Sequence, residues 1–340
     1  MLQLRLQSMR LTNVILFAVS LLISALMAEG LFRVVVDDGM VYELEMWKYA
    51  KSVKVRSADP RIGHQHRPNA SAMLMGAQVR TDSHGFRGTD IPGTPTSGVA
   101  RIAFVGDSIT FGWGVSERET FASRVVNDLQ SRGRRVDGFN LGVGNFNTSQ
   151  ELALFKAVGL EMKPDIVVLA YFINDAEPLP RYNQHGWLDW HSAAWTVLAH
   201  RTDSVLRSGG SRQDWKEYYR GLYRDGEGGW DSTRQAAKEL AETVRASGAD
   251  LVAFNIPELR ELKPYPFMDI NGKIADLMRS NNIPFIDLLP AVEEQEPQSL
   301  WVTVPDPHPN GKANDLFATA MVRSLVPILQ KLCEQKGKGC

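Results

Sequence analysis

The chain has 340 residues, 38 Lys and Arg against 39 Asp and Glu, a formal net charge of −1, and 44% hydrophobic with 23% charged residues. That length can bury a sizeable core, and the composition is that of a globular protein, which excludes wholesale disorder. The basic residues are scattered and form no stripe, which argues against a nucleic-acid partner.

The N-terminus departs from this average. Arg5 and Arg10 precede LTNVILFAVSLLISALMAEGLF, which carries no charge between Arg10 and Glu29. About 18 such residues suffice for one membrane helix. A cleaved signal peptide is the rival reading, but the stretch SALMAEG places Leu26, not a small residue, where a cut after Ala28 needs one. The expectation is an uncleaved, single-pass signal anchor in the inner (plasma) membrane. Residues 1–10 would lie in the cytoplasm, residues 11–31 would span, and the rest would face the periplasm or exterior. Residues 32–99 read as a polar lead-in punctuated by Gly and Pro, with a short hairpin expected around AQVRTDSHGFRG (77–88).

From residue 100 strands and helices alternate. RIAFVG (101–106) reads as a strand and TFASRVVNDLQSRG as a helix with Phe121, Val125, Val126 and Leu129 on one face. VDGFNLG reads as a second strand, TSQELALFKAVG as a helix capped by Thr148, and DIVVLAYF (165–172) as a strand buried on both faces. DSTRQAAKELAETVRASG is a helix closing on Gly248. ADLVAFNIP, a helix near 267–281, the strand IPFIDLL (283–289) and a helix near 311–332 complete the series. This alternation implies a parallel sheet covered on both sides. Residues 177–230 interrupt it with Trp187, Trp190, Trp195, Trp215 and Trp230, and with Tyr182, Tyr218, Tyr219 and Tyr223. The insertion reads equally as a lid or aromatic platform, or as a helical subdomain with its own core. Cys333 and Cys340 lie in the tail, either as a small-loop disulfide or as two free thiols.

Candidate chemistry gathers at strand ends. In FVGDSITFGWG, Ser108 follows a strand and opens a helix, where backbone N–H groups face the sheet's C-terminal edge. A serine hydroxyl needs a base. Of the seven histidines, His308 in VPDPHPNG lies before the last helix, with Asp306 close by to orient it. His64 and His66 lie in the lead-in as a pair with no third ligand nearby, His84 sits beside Gly85 in a turn, and His185, His191 and His200 belong to the insertion. The loop after the second strand, NLGVGNFNTSQ, offers backbone donors, and FINDAEP places Asn174 after the third. There is no G-x-S-x-G, no nucleotide loop and no H-E-x-x-H, so no metal or other cofactor is expected.

In that order GDSITFG, NLGVGN, FIND and DPHPN resemble the four blocks of the SGNH (GDSL) hydrolase family, and the apolar N-terminus resembles its membrane-anchored bacterial members. The resemblance covers roughly residues 100–332. It implies a flavodoxin-like three-layer α/β/α sandwich with a central parallel sheet, and an esterase, lipase or carbohydrate deacetylase activity. It implies Ser108 as nucleophile and His308 as base, with Asn174 and the Ser108 backbone N–H as oxyanion donors beside a residue of the second block. Two departures stand out. The family's donor glycine in that block falls on Asn145, with Gly144 just before it, and the position usual for the acid falls on Pro305, leaving Asp306.

The resulting organisation is a hydrolase domain over 100–333, carrying the insertion at 177–230, and a tail at 334–340. The leading reading is an extracytoplasmic serine esterase acting on an acylated polysaccharide or glycolipid. An O-acyltransferase with the same acyl-enzyme, or a non-catalytic assembly protein on the same scaffold, are the alternatives.

Overall fold

The computed structural model describes residues 2–179, 186–208, 215–304 and 306–340, with backbone alone at 2–8 and 203–208. Tyr182, His185 and Pro305 lie outside the described residues. In chain order the elements are α1 (Leu2–Leu31), α2 (Tyr42–Ser52), β1 (Lys54–Arg56), β2 (His64–His66), β3 (Ser71–Leu74), β4 (Ala77–Arg80), β5 (Ala100–Gly106), α3 (Ser108–Phe111), α4 (Phe121–Ser131), β6 (Val136–Asn140), α5 (Thr148–Leu154) and β7 (Ile166–Phe172). There follow α6 (Trp187–His191), α7 (Ala193–Ser208), α8 (Trp215–Leu222), α9 (Gly228–Ala246), β8 (Asp250–Ile256), α10 (Met268–Ser280), β9 (Phe285–Asp287), α11 (Leu289–Val292), β10 (Trp301–Thr303), β11 (Asp306–Pro309) and α12 (Gly311–Lys336). They form two compact units, residues Lys48–Asn183 with Arg212–Cys340, and residues Met1–Trp47 with Gln184–Ser211.

The larger unit is built on five parallel strands in the order β6-β5-β7-β8-β9. Numbered within the sheet this is 2-1-3-4-5, the flavodoxin-like order. The strands are apolar at consecutive positions because both faces are covered. Along β7, Val167, Leu169 and Tyr171 pack with Leu152 of α5, Leu240 of α9 and Ile274 of α10. Ile166, Val168 and Ala170 pack on the opposite face with Val125 of α4 and Phe317 and Leu325 of α12. The period of two sends alternate side chains to opposite layers, and each buried Leu, Ile or Phe contributes roughly 1.5–3 kcal/mol. The result is a three-layer α/β/α sandwich.

In the smaller unit α1 is exposed from Met9 to Met27, with Leu11, Phe17, Leu21, Leu22 and Leu26 outward. Residues Met9–Val36 are long and apolar enough to cross a membrane. So is α12, but that helix packs on the sheet. Near the end of α1, Glu29 accepts from Ser192 Oγ (2.7 Å) and from the N–H groups of Ala193 (2.9 Å) and Ala194 (3.1 Å), satisfying the open N-terminus of α7. Arg33 donates to the His191 carbonyl at 2.8 Å, and Leu44, Ala193 and Val197 make a small core with Phe32 and Trp47.

Several local expectations change. The hairpin lies earlier than 77–88: β3 pairs with β4, and Met75 and Gly76 form the turn, both at positive φ as a two-residue hairpin turn requires. Of the expected pairing only the bridge Thr81–Arg87 forms. The cap of α5 is Asn147, whose side chain accepts from Gln150 N at 3.0 Å; Thr148 is the first helical residue. The strand expected at 283–289 is confined to Phe285–Asp287, because Asp287 Oδ1 accepts from Leu289 N and starts α11. The last helix runs to Lys336, and Cys333 and Cys340 form a disulfide. The aromatics of 177–230 divide. Trp230 and Tyr223 are buried in the core of the larger unit, whereas Trp187, Trp190 and Trp195 in the smaller unit are 70, 40 and 44% exposed.

Candidate active site

Gly106 ends β5, and Asp107 caps the short α3 by accepting from Ile109 N at 2.8 Å. This turn lifts Ser108 off the strand's C-terminal end. Ser108 Oγ lies 2.9 Å from His308 Nε2 and 3.4 Å from Asp107 Oδ2. His308 Nδ1 is 2.5 Å from Asp306 Oδ1, so serine, imidazole and carboxylate stand in one hydrogen-bonded line.

The local conformation explains how an acid two residues before the histidine can serve. Asp306 and His308 lie on β11, which pairs with β10, and residues i and i+2 of a strand point to one side. Asp306 is 2% exposed, and its second oxygen accepts from Trp113 Nε1 at 2.9 Å. Burial pushes this carboxyl up. The hydrogen bond and charge of His308, with help from the His308 N–H and Trp113, outweigh it and hold Asp306 below its ordinary value. Trp113 was not anticipated as a site residue. Its only sequence signal is its place two residues after α3, between Gly112 and Gly114.

Asn174 sits in the turn after β7, with its amide against the Asp107 carboxyl. Burial raises the Asp107 pKa, and Ile109 N, His308, Asn174 and Ser108 oppose that rise. β5 and β7 are the first and third strands of the sheet, so Ser108 and Asn174 flank the switch point at which such sheets bind ligands. Glu151 of α5 and Asp175 are buried alongside. Burial first, then the charge of neighbouring carboxylates, pushes both well above the usual carboxylate range.

The loop after β6 separates the two expected backbone donors. Gly144 N–H is already donated to Tyr49 Oη at 3.0 Å. The Gly144 carbonyl accepts from Lys54 Nζ at 2.8 Å and lies 2.9 Å from His64 Nε2, and Lys54 Nζ also reaches Asn145 Oδ1 at 3.0 Å. Asn145 adopts φ +69°, the left-handed conformation that Asn tolerates better than most residues. Among the described residues its N–H has no acceptor. Tyr49 Oη is in turn 2.6 Å from His66 Nε2. Burial, then the charge of Lys54, pushes His64 and His66 each down to about 3, and burial brings Lys54 down to about 7. Tyr49, Lys54, His64 and His66 were all missed by sequence reasoning as members of the site. Tyr49, Lys54 and His64 act on Gly144 from 80 to 95 residues away in sequence, and His66 acts through Tyr49, so no spacing could reveal them.

Among the described residues one trio has metal-ligand spacing, Asp82, His84 and Asp90. Asp82 is engaged by the N–H groups of His84 and Phe86, and Asp90 by Ser83, which accounts for the cluster as loop bracing.

Residues 104–316 match the model of the GDSL-like Lipase/Acylhydrolase family. The chain belongs to that family. As a GDSL acylhydrolase it is a serine hydrolase of ester bonds. Solved structures similar to it include a lipase/acylhydrolase from Enterococcus faecalis, at 16% identity over 67% of this chain and 96% of that one, with a TM-score of 0.43. They also include a catalytic mutant of Axe2, an acetylxylan esterase from Geobacillus stearothermophilus, at 17% identity over 66% of this chain and 94% of that one, with a TM-score of 0.45. A structure of TesA is 16% identical over 68% of this chain and 99% of that one, with a TM-score of 0.43. No curated protein sequence matches the chain.

Proposed function

We propose that this acylhydrolase is a membrane-tethered esterase that removes O-acyl groups from a polysaccharide or glycolipid outside the cytoplasm, through an acyl-enzyme on Ser108. The line Ser108–His308–Asp306 carries this reading. His308 Nε2 takes the Ser108 proton as Oγ attacks the ester carbonyl. Asp306 fixes the tautomer with Nδ1–H toward itself and stabilises the imidazolium. The oxyanion is held by the Ser108 and Asn145 N–H groups and the Asn174 amide. Collapse breaks the C–O bond, and His308 returns its proton to the departing alcohol. Water, deprotonated by the same imidazole, then releases the acid and restores Ser108. Burial and the charge of neighbouring carboxylates push the Glu151 and Asp175 carboxyls well above the usual carboxylate range, which disfavours negative charge on either.

The tether and its side of the membrane rest on three features of the chain. α1 is apolar and exposed with Arg5 and Arg10 at its start, which favours a cytoplasmic N-terminus. The Cys333–Cys340 disulfide suits an oxidising compartment. Trp187, Trp190 and Trp195 are exposed on helices bound to the end of α1, where tryptophan favours the interface between lipid and water. In this reading residues 1–10 are cytoplasmic, 11–31 span, 32–99 lead into the hydrolase domain at 100–333, and 334–340 form the tail. The test pairs fluorophosphonate labelling of Ser108 with acid release from p-nitrophenyl esters and an O-acetylated polysaccharide, each with and without a sugar acceptor. Acid release alone supports the esterase; acyl transfer to the acceptor replaces it with a transferase. Recovery of the protein in the soluble fraction overturns the tether.

A further inference from the structure

The Gly144–Asn145 peptide is held from one side by two residues of the lead-in. Among the described residues the only cis peptide precedes Pro264, so this one is trans, and its C=O and N–H point in opposite directions. The carbonyl end faces Lys54 Nζ at 2.8 Å and His64 Nε2 at 2.9 Å. The other end, Asn145 N–H, is therefore aimed away from β1 and β2. Lys54 also grips the Asn145 side chain at 3.0 Å, stabilising the left-handed backbone that sets the plane. Space enforces the same placement: a Cβ on Gly144 would lie 2.8 Å from the Tyr49 ring, so the loop can sit against Tyr49 only with glycine there.

We propose that Lys54, assisted by His64, is a positioning residue that locks the Gly144–Asn145 peptide so that Asn145 N–H is presented to the oxyanion. This rests on the reading of Asn145 as an oxyanion donor. A turned peptide would present the Gly144 carbonyl instead, and a carbonyl dipole repels the charge that the N–H stabilises. The Lys54 amino group, donating to the carbonyl, also polarises the peptide, strengthening the N–H as a donor. The arrangement accounts for asparagine where the family pattern has glycine: its side chain gives Lys54 a second hold. It also gives the lead-in a part in the chemistry.

The test uses the full chain with p-nitrophenyl acetate as substrate and phenylboronic acid as a tetrahedral mimic. Lys54→Met is expected to lower kcat by about 10- to 100-fold, somewhat less than deleting a donor outright, with KM within about twofold. Boronate affinity should weaken in parallel with kcat, Lys54→Arg should recover most of the loss, and His64→Leu should show a smaller version of it. A Lys54→Met enzyme with unchanged kcat overturns the proposal. So does one that loses kcat only alongside thermal stability while keeping its boronate affinity, since that is packing alone. If Ser108→Ala is inactive while Lys54→Met is unaffected, only the lock fails. Activity that survives Ser108→Ala removes the site assignment, and the lock with it.

Discussion

Two turns supply the backbone of this site, and they are braced in opposite ways. The turn after β5, carrying Ser108, is held from within: Asp107 binds Ile109 N, and Gly112 and Trp113 close the α3 turn onto the Ser108 carbonyl. The turn after β6, carrying Asn145, is held from outside by Tyr49, Lys54 and His64, 80 to 95 residues upstream. The first geometry follows from a few adjacent residues. The second has local bonds of its own, Gly142 N–H to Asn140 Oδ1 at 2.8 Å and Phe146 N–H to the Val143 carbonyl at 3.2 Å, but its Gly144–Asn145 peptide is gripped by the lead-in. A locally braced turn should tolerate damage to the lead-in, and a remotely braced one should not.

The largest test of the first turn is Ser108→Ala, expected to lower kcat by roughly 10³- to 10⁶-fold in ester hydrolysis, with folding unaffected by circular dichroism. Asp306→Asn should cost about 10²- to 10⁴-fold in kcat, because the amide favours the wrong imidazole tautomer. Retention of activity there would move the acid's role elsewhere.

Gly142 joins the two turns. A Cβ at this position would lie 2.1 Å from Phe111 N, a backbone atom, so Gly142→Ala should destabilise the fold by roughly 2–5 kcal/mol in denaturant unfolding. An unchanged midpoint would show that the turns are not in rigid contact.

The remote brace should also leave a pH signature. His64 and His66 titrate near 3 when folded against an ordinary 6.5, so the unfolded chain takes up protons that the folded one refuses. Stability from this source is fully present above 6.5 and is lost as pH falls toward 3. His66→Gln should flatten the dependence of the unfolding midpoint on pH between these limits, and an identical slope would count against a neutral buried His66. The smallest effect is expected from Trp113→Phe, which keeps the ring but removes the donor to Asp306; because the carboxylate keeps its His308 partner, a fall in kcat of about 3- to 10-fold is expected, the scale of one ordinary hydrogen bond.

How far the sequence could be read follows the same division. β5, β7 and β8 were legible because a strand covered on both faces reads as one apolar run. The long stretch after β7 was visible as aromatic but not as divided. Trp230 joins the buried core and Trp187 stays exposed, a difference set by which surfaces fold against each residue. Asn147 in place of Thr148 as the α5 cap was a choice between neighbouring residues that both cap well, decided by where the chain leaves β6.

The sequence by itself determined the alternating parallel architecture and the order of the four blocks, because burial periodicity and turn chemistry act over a few residues. It also marked Ser108, Asn174 and His308 as chemical groups at strand ends. Only the tertiary structure decided that Asp306 reaches His308 from a shared strand face, that Trp113 holds its other oxygen, and that Gly144 N–H is taken while Asn145 N–H is free of protein acceptors among the described residues. Those contacts join positions up to 193 residues apart, and no local pattern specifies which distant side chain fills a given space.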